Sequence, residues 1–212
     1  MTKLFPGKDE MISLIKSRGI KDEILISAMQ KVRREDFISQ PFKLRAYEDC
    51  ALPIGENQTI SQPYTVAVMT ESLKIFRGAK ILEIGTGSGY QATILAEMGA
   101  KVFTIERHLE LHSKAKEIFS KLNLPIISKF GDGTLGWKEC APFDGIIVTA
   151  GAPIVPDNLK LQLAINGRLV IPVGGSDSQD ILIIERNEKD FTTTKICGFK
   201  FVPLIGKEGW DK

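Results

Sequence analysis

Apolar positions change period along this chain. Residues 8–18 place Met11, Ile12 and Ile15 at helical spacing ahead of Gly19, and residues 21–32 do the same with Ile24, Leu25, Ala28, Met29 and Val32. Both stretches predict amphipathic helices. From 33 to 62 the period is lost: Pro41, Pro53 and Gly55 interrupt it, and polar residues crowd 56–62. This predicts a loop too long for an ordinary connector, and such loops in compact domains are usually functional. Pro63 suits the first turn of a further helix reaching Phe76, carried by Val66, Ala67, Met69 and Leu73. Ser61 or Gln62 would then sit at its cap.

Beyond Gly78, short apolar runs alternate with helical patterns. Strands are expected at 81–84, 102–105, 126–130, 145–149 and 169–173, with helices at 91–98, 108–122 and 156–164 between them. That alternation predicts a parallel sheet covered by helices on both faces. Ile146, Ile147 and Val148 leave no polar face, as a central buried strand requires. Asn166-Gly167 reads as a helix stop. After Gly174-Gly175 the helical pattern ends, and 181–185 and 193–202 predict an antiparallel pair closing the sheet. The expected organisation is one domain over 1–212, with N-terminal helices and a substrate loop in 1–77, a core in 78–175, and C-terminal strands in 176–212.

Composition removes several function classes. A chain of 212 residues with 25% charged and 43% apolar residues has the balance of a soluble globular protein. A net charge of +2, with no run of five basic residues, gives no electrostatic case for nucleic acid or a membrane surface. Lys8, Asp9 and Glu10 stand where a signal peptide needs an apolar core. Cys50, Cys140 and Cys197 are scattered and never form a C-x-x-C pair, so reduced thiols in a cytoplasmic protein are expected. His108 and His112 are four apart on a predicted helix but lack the Glu of H-E-x-x-H and further ligands at suitable spacing. No metal is expected.

The chemistry concentrates in 80–90, Lys-Ile-Leu-Glu-Ile-Gly-Thr-Gly-Ser-Gly-Tyr. A strand, a loop bearing Gly85, Gly87 and Gly89, and a helix let backbone approach a nucleotide-like ligand. Tyr90 occupies the third glycine position of the dinucleotide fingerprint, and Glu83 would be awkward beside a pyrophosphate but suits a cation. In open α/β sheets ligands bind beyond the carboxyl ends of strands. Glu106 ends the second predicted strand, about 20 residues past the first glycine, where an acid accepts ribose hydroxyls. Asp132 follows the third strand and could accept from an adenine amino group. Each acid also has a plainer reading, as a core-edge carboxylate, a helix-starting acid or a turn residue. Taken together with the glycine loop, they point to adenosine carrying a cationic amino-acid tail, which is S-adenosyl-L-methionine.

The motif at 83–90, the Gly131-Asp132-Gly133 turn, the segment 46–64 containing Gln58-Thr59-Ile60-Ser61-Gln62-Pro63-Tyr64, residues 147–153, and the closing Phe201-Val202-Pro203-Leu204-Ile205-Gly206 closely resemble protein-L-isoaspartate O-methyltransferases. The resemblance runs from about residue 11 to the end. It implies a Rossmann-like class I methyltransferase fold with an N-terminal helical extension. It also implies methyl transfer from S-adenosyl-L-methionine to the free α-carboxylate of isoaspartyl residues in damaged proteins and peptides. Carried over by position, it assigns Ser61 a catalytic role, with Thr59, Ile60 and Gln62 shaping the substrate pocket. Glu106 and its neighbour Arg107 lie at the ribose, Asp132 and Gly133 at the adenine, and Glu83, Gly85, Thr86, Gly87 and Gly89 at the rest of the cofactor. Val202 and Leu204 match a C-terminal strand lying against the peptide. A monomer is expected. Two departures stand out: Asn57 where the family commonly has glycine, and Arg33 where it commonly has proline. Asn tolerates positive φ better than most residues.

Few catalytic groups suffice for that reaction. A carboxylate with a pKa near ~4 is already the nucleophilic anion at neutral pH, which agrees with a chain of only two histidines. Ser61 alone reads equally as a helix cap. A nucleic-acid methyltransferase lacks its Asp/Asn-Pro-Pro-aromatic motif at 149–153 and its cysteine at a strand end. A nicotinamide oxidoreductase is opposed by Tyr90 and Glu83, and a non-catalytic binding module by the retained site residues.

Overall fold

The computed structural model describes residues 5–211, so residues 1–4 and Lys212, at the ends of the domain limits expected above, lie outside the description. Two N-terminal helices, α1 (Lys8–Ser17) and α2 (Glu23–Lys31), lead into two short 3-10 turns. A hairpin of β1 (Leu52–Gly55) and β2 (Gln58–Ile60) and the helix α3 (Pro63–Ser72) follow. The alternating portion comprises β3 (Lys80–Ile84), α4 (Tyr90–Glu97), β4 (Lys101–Glu106), α5 (Leu109–Lys121), β5 (Ile127–Phe130), β6 (Phe143–Val148) and α6 (Asp157–Leu161). Three strands close the chain: β7 (Leu163–Gly174), β8 (Gln179–Arg186) and β9 (Phe191–Phe199).

Seven strands form one sheet in the order β5-β4-β3-β6-β7-β8-β9. The first five pair in parallel, while β7–β8 and β8–β9 are antiparallel. This is the expected parallel sheet with an antiparallel edge. Its chain order reverses at β3, whose neighbours are β4 on one side and β6 on the other, so the crevice for a ligand lies beyond the ends of these three strands. Alternation within the strands supplies two cores. Ile81, Ile147 and Val170 pack with α1–α5 on one face, and Leu82, Ile146, Val148 and Leu169 pack with Leu159 of α6 and Leu204 on the other.

Four expectations change. The loop at 33–62 contains the β1–β2 hairpin, closed by Glu56 and Asn57 at φ 52° and 56°. Both central residues are left-handed, as a two-residue type I′ turn requires, so Asn57 meets the demand that a glycine would. The helix from Pro63 stops at Ser72 because Lys74 adopts φ 51°, which leaves Phe76 exposed. The helix expected at 156–164 shortens to five residues. Leu163 pairs with Phe143 instead, and Asn166, at φ 64°, makes an irregularity within β7 rather than a helix end. Leu161, 70% exposed, shows that its apolar character was no core signal. Finally β9 ends at Phe199, just past Gly198 at φ 91°, so Val202 and Leu204 do not belong to that strand. They run beside Gly151, whose N–H donates to the Val202 carbonyl (2.8 Å) and whose carbonyl accepts from the Leu204 N–H (2.8 Å).

Two positions hold the turn after β3. Gly85 has φ 94°, and a Cβ there would stand 2.4 Å from the Thr149 hydroxyl oxygen. Gly89 has φ 88°, and its Cβ would stand 2.8 Å from the buried Phe119 ring. A Gly89→Ala variant therefore combines backbone strain with a ring clash, and a stability loss of roughly 1–3 kcal/mol is expected. Urea unfolding at matched pH measures it; a loss within error of zero would show that the loop relaxes freely.

Glu83 is fully buried inside the sheet and in register with Thr104 of β4. The Thr104 hydroxyl donates to Glu83 Oε2 (2.5 Å) and lies 2.6 Å from the hydroxyl of Thr86 in the glycine loop. Burial pushes the Glu83 carboxyl from 4.5 up to about 8, against the opposing Thr104 hydrogen bond and with a further push from nearby Glu106. Below pH 4.5 folded and unfolded chains both hold this proton. Between 4.5 and about 8 the folded state keeps a proton that the unfolded chain releases, so stability falls as pH rises, by up to about 1.4 kcal/mol per unit. Glu83→Gln keeps an acceptor for Thr104 and is expected to flatten this slope. Denaturation midpoints taken across that window test it, and parallel slopes in both proteins would refute it.

Candidate active site

At the carboxyl ends of β3, β4 and β6 lies a partly open cavity lined by residues from all three strand ends, where open α/β sheets bind their ligands. Its floor is the glycine loop. Gly85 N–H and Thr86 N–H both donate to the Ile105 carbonyl, at 2.8 and 3.3 Å. From the β6 side, the Thr149 hydroxyl donates to the Gly85 carbonyl at 2.6 Å. With both flanks tied, the loop holds its shape before any ligand arrives.

Glu106 forms one wall. It is 4% exposed, and its carboxylate accepts from Gly87 N–H at Oε2 and from His108 N–H at Oε1, each at 2.8 Å. Each carboxylate oxygen has two lone pairs, so the pinned group can still accept from ligand hydroxyls. It is the only acid among the described residues lining the cavity. Apolar surface from Met69, Ile84, Ile105 and Leu204 surrounds it. An adenosine needs an acceptor for its ribose diol and apolar surface for its base, and the cavity offers both. The residues therefore fit the S-adenosyl-L-methionine expected from the sequence.

Most of the anticipated site residues meet here. Ser61, Thr59, Ile60, Gly85, Thr86, Gly87, Glu106, Arg107, Gly133, Val202 and Leu204 all line the cavity. Four do not. Glu83 is sealed in the sheet with its carboxyl shifted toward the neutral form, so the charge attraction argued for it from sequence does not operate across this cavity. It acts instead on the loop, through Thr104 and Thr86. Gly89 lies behind the loop against Phe119 and shapes the helix start. Gln62 lines a smaller side chamber that shares Thr59, Ser61, Thr149 and Val202 with the main cavity.

Asp132 lines a neighbouring recess with Arg107 and Ile205. Its Oδ1 accepts from Thr134 N–H and hydroxyl, and its Oδ2 from Lys207 N–H (2.8 Å). Partial burial would raise its pKa, but these donors outweigh it and hold the carboxyl below its usual range. Asp132 thus anchors the C-terminal segment to the loop after β5.

Ser61 sits just before α3, and the cap position is Gln62, which makes no side-chain capping bond. The Ser61 hydroxyl has no partner among the described residues, so the reading of Ser61 as a helix cap is not realised. What fixes Ser61 is its carbonyl, which accepts from Arg34 Nη2 at 2.9 Å. Arg34 is 0% exposed, donates through Nε to the Ala46 carbonyl (2.8 Å), and stacks 5.0 Å from the Tyr90 ring centroid. Arg34 and Thr149 are structural supports that sequence reasoning missed. A charged residue in a broken pattern gives no sign of burial, and Thr149 looks like the end of any buried strand. Neighbouring Arg33 is exposed and pairs with Glu35 (3.2 Å), away from the cavity.

His108 faces Glu56 of the hairpin turn (3.4 Å), while His112 packs near Phe130. Among the described residues no group of three His, Cys, Asp or Glu is arranged to hold a metal ion. No helix among them is long and apolar enough to cross a membrane.

Many known proteins resemble this chain. The chain is 52% identical over 204 residues to the protein-L-isoaspartate O-methyltransferase of Pelodictyon phaeoclathratiforme, covering 95% of this chain and 92% of that protein. It is 53% identical over 196 residues to the enzyme of that name in Geobacter metallireducens, covering 92% and 91%. A solved protein-L-isoaspartate O-methyltransferase superimposes with a TM-score of 0.86 at 26% identity, covering 96% of this chain and 67% of that one. A Plasmodium falciparum chain described as a β-aspartate methyltransferase, crystallised with S-adenosyl-L-homocysteine, shares the fold at a TM-score of 0.81 and 24% identity, covering 94% and 99%. The family profile described as protein-L-isoaspartate(D-aspartate) O-methyltransferase matches residues 7–209. By that profile match over nearly the whole chain, and by relatives about half identical to it, this chain belongs to the protein-L-isoaspartate(D-aspartate) O-methyltransferase family.

Proposed function

We propose that this protein uses S-adenosyl-L-methionine to methylate the free α-carboxylate of L-isoaspartyl residues in damaged proteins and peptides, which starts their repair through a succinimide. The observation that carries the reading is the Ser61 hydroxyl, uncommitted among the described residues, on the wall shared by the main cavity and the polar side chamber. Free thiols at Cys50, Cys140 and Cys197 support a reducing, cytoplasmic setting for a single-domain monomer.

When bound, the cofactor supplies an electrophilic methyl group on a sulfonium, an intrinsically good leaving group. The protein's task is alignment, which is worth up to ~7–11 kcal/mol in a well-oriented pair. Glu106 holds the ribose hydroxyls, and the apolar wall takes the base. Gly85, Thr86, Gly87, Arg107 and Gly133 line the same site. On the substrate side, Thr59, Ile60, Gln62, Val202 and Leu204 enclose the peptide, and Ser61 donates a hydrogen bond that directs one carboxylate oxygen toward the methyl position. No general base is required, because the nucleophile is already ionised at neutral pH. The resulting ester is then attacked by the following backbone amide nitrogen, which forms the ring and expels methanol. Ring hydrolysis returns a share of normal aspartate.

Paired peptides differing only in aspartyl or isoaspartyl linkage test the assignment: base-labile methyl incorporation is expected on the isoaspartyl peptide alone. Label on neither, with cofactor bound, would instead make the protein a binding module. Ser61→Ala is expected to lower kcat on the order of 10–100-fold, the loss of a hydrogen bond to a charged group, with S-adenosyl-L-homocysteine affinity unchanged by calorimetry. A rate within about twofold of wild type would remove the orienting role. Glu106→Gln is expected to weaken S-adenosyl-L-homocysteine binding roughly tenfold; unaltered affinity would place the ribose elsewhere.

A further inference from the structure

The side chamber is lined by a lysine that no described residue pairs with. It shares Thr59, Ser61, Thr149 and Val202 with the main cavity, so the two spaces meet at one wall. Its polar lining is Thr59, Ser61, Gln62, Thr65, Thr149 and Lys200, with no acid among the described residues. The Lys200 ammonium has no ion pair or hydrogen bond with any described residue. Nearby Lys195, by contrast, is matched with Asp180 at 3.1 Å.

Lys200 is not on a loose tail. It follows the last residue of β9, and Phe201 N–H donates to Gln179 Oε1 at 2.8 Å. The Val202 carbonyl accepts from Gly151 N–H at 2.8 Å. The backbone on both sides of Lys200 is therefore tied to the sheet, which fixes this exposed residue at the rim of the chamber it lines. With the Thr149 hydroxyl already donating to the Gly85 carbonyl, the hydroxyls of Thr59, Ser61 and Thr65, the Gln62 amide and the Lys200 ammonium, with no carboxylate among them, make a chamber that favours an anion.

We propose that Lys200 is a specificity-determining residue whose ammonium draws the reacting carboxylate of the peptide into this chamber. The inference rests on the isoaspartyl reading above and deepens it. Its direction follows from charge. The carboxylate is fully anionic when it binds and loses charge as its oxygen forms the new bond to carbon. An ammonium partner therefore stabilises the bound ground state at least as well as the transition state. Such an interaction lowers KM without raising kcat. Ser61 aims the nucleophile, and Lys200 concentrates it.

Lys200→Met and Lys200→Arg, both at an exposed position, separate this from a structural role. With an isoaspartyl peptide of neutral flanks, Lys200→Met is expected to raise KM roughly two- to fivefold, the range of a solvated ion pair. It should leave kcat within about twofold and S-adenosyl-L-homocysteine affinity unchanged. Wild-type KM should climb with salt through screening, the Met variant's KM should be nearly flat, and Lys200→Arg should restore both. An unchanged KM for the neutral-flank peptide would overturn the proposal, including the case in which only peptides with acidic flanks suffer. Wild-type turnover with unaltered variant KM removes the role of Lys200 alone, whereas absence of wild-type methylation on any isoaspartyl peptide removes the functional reading with it.

Discussion

The Glu106 carboxylate bridging Gly87 N–H and His108 N–H is the contact on which the rest of the site depends. Two amides, one in the glycine loop and one at the start of α5, share a buried anion. Hydrogen bonds to a charged group are roughly twice as strong as neutral ones, and this pair joins the turn after β3 to the end of β4. The parallel register of those strands, running from Lys80 opposite Lys101 to Ile84 opposite Ile105, brings Glu106 to that height. A one-residue slip would turn it to the other face.

A second frame supports the substrate side. Arg34 holds the Ser61 and Ala46 carbonyls while its guanidinium stacks on Tyr90, which in turn meets Phe37 edge-on at 5.5 Å. Tyr90 is the first residue of α4, directly after the glycine loop. One buried cation thus ties the segment bearing Ser61 to the helix bearing the cofactor loop. Burial lowers the Arg34 pKa, with the nearby Tyr90 among the groups opposing that. A desolvated guanidinium is costly where its donors are unmatched; Nε and Nη2 are matched by the Ala46 and Ser61 carbonyls while Nη1 has no hydrogen-bond partner among the described residues, so displacing either carbonyl would add to a cost already present. The C-terminal segment is secured in a similar way, by Asp132 accepting from Lys207 N–H and by Gly151 flanking Val202 and Leu204.

Much of this was legible in the chain, for physical reasons that differ by element. The parallel strands could be read because burial on both faces demands continuous apolar runs, as Ile146–Ile147–Val148 supplies. The glycine loop could be read because φ near +90° at Gly85 and Gly89 excludes most other residues. The β1–β2 hairpin was hidden because Pro53 and Gly55 look like breakers, and its two-residue turn uses Glu56-Asn57 rather than Asn-Gly. The helix expected at 156–164 misled because Leu161, inside it, is apolar yet exposed, so its position reflected no core.

Taken alone, the sequence determined the fold class, the cofactor crevice, the family and the candidate nucleophile-orienting serine, since each depends on local pattern or on motifs contiguous in the chain. The tertiary structure decided what each charge does. Glu83, Glu106 and Asp132 look alike as strand-end acids, yet one is a buried carboxyl shifted toward neutral, one faces the cavity, and one anchors the C-terminal segment. Arg34 and Lys200 look alike as basic residues, yet one is buried against two carbonyls and the other is exposed, with no ion pair among the described residues, at the rim of the chamber that Ser61 also lines. Charge is a property of the residue. Its pKa, its partners and therefore its function depend on desolvation and distance, which arise only when remote parts of the chain are brought together.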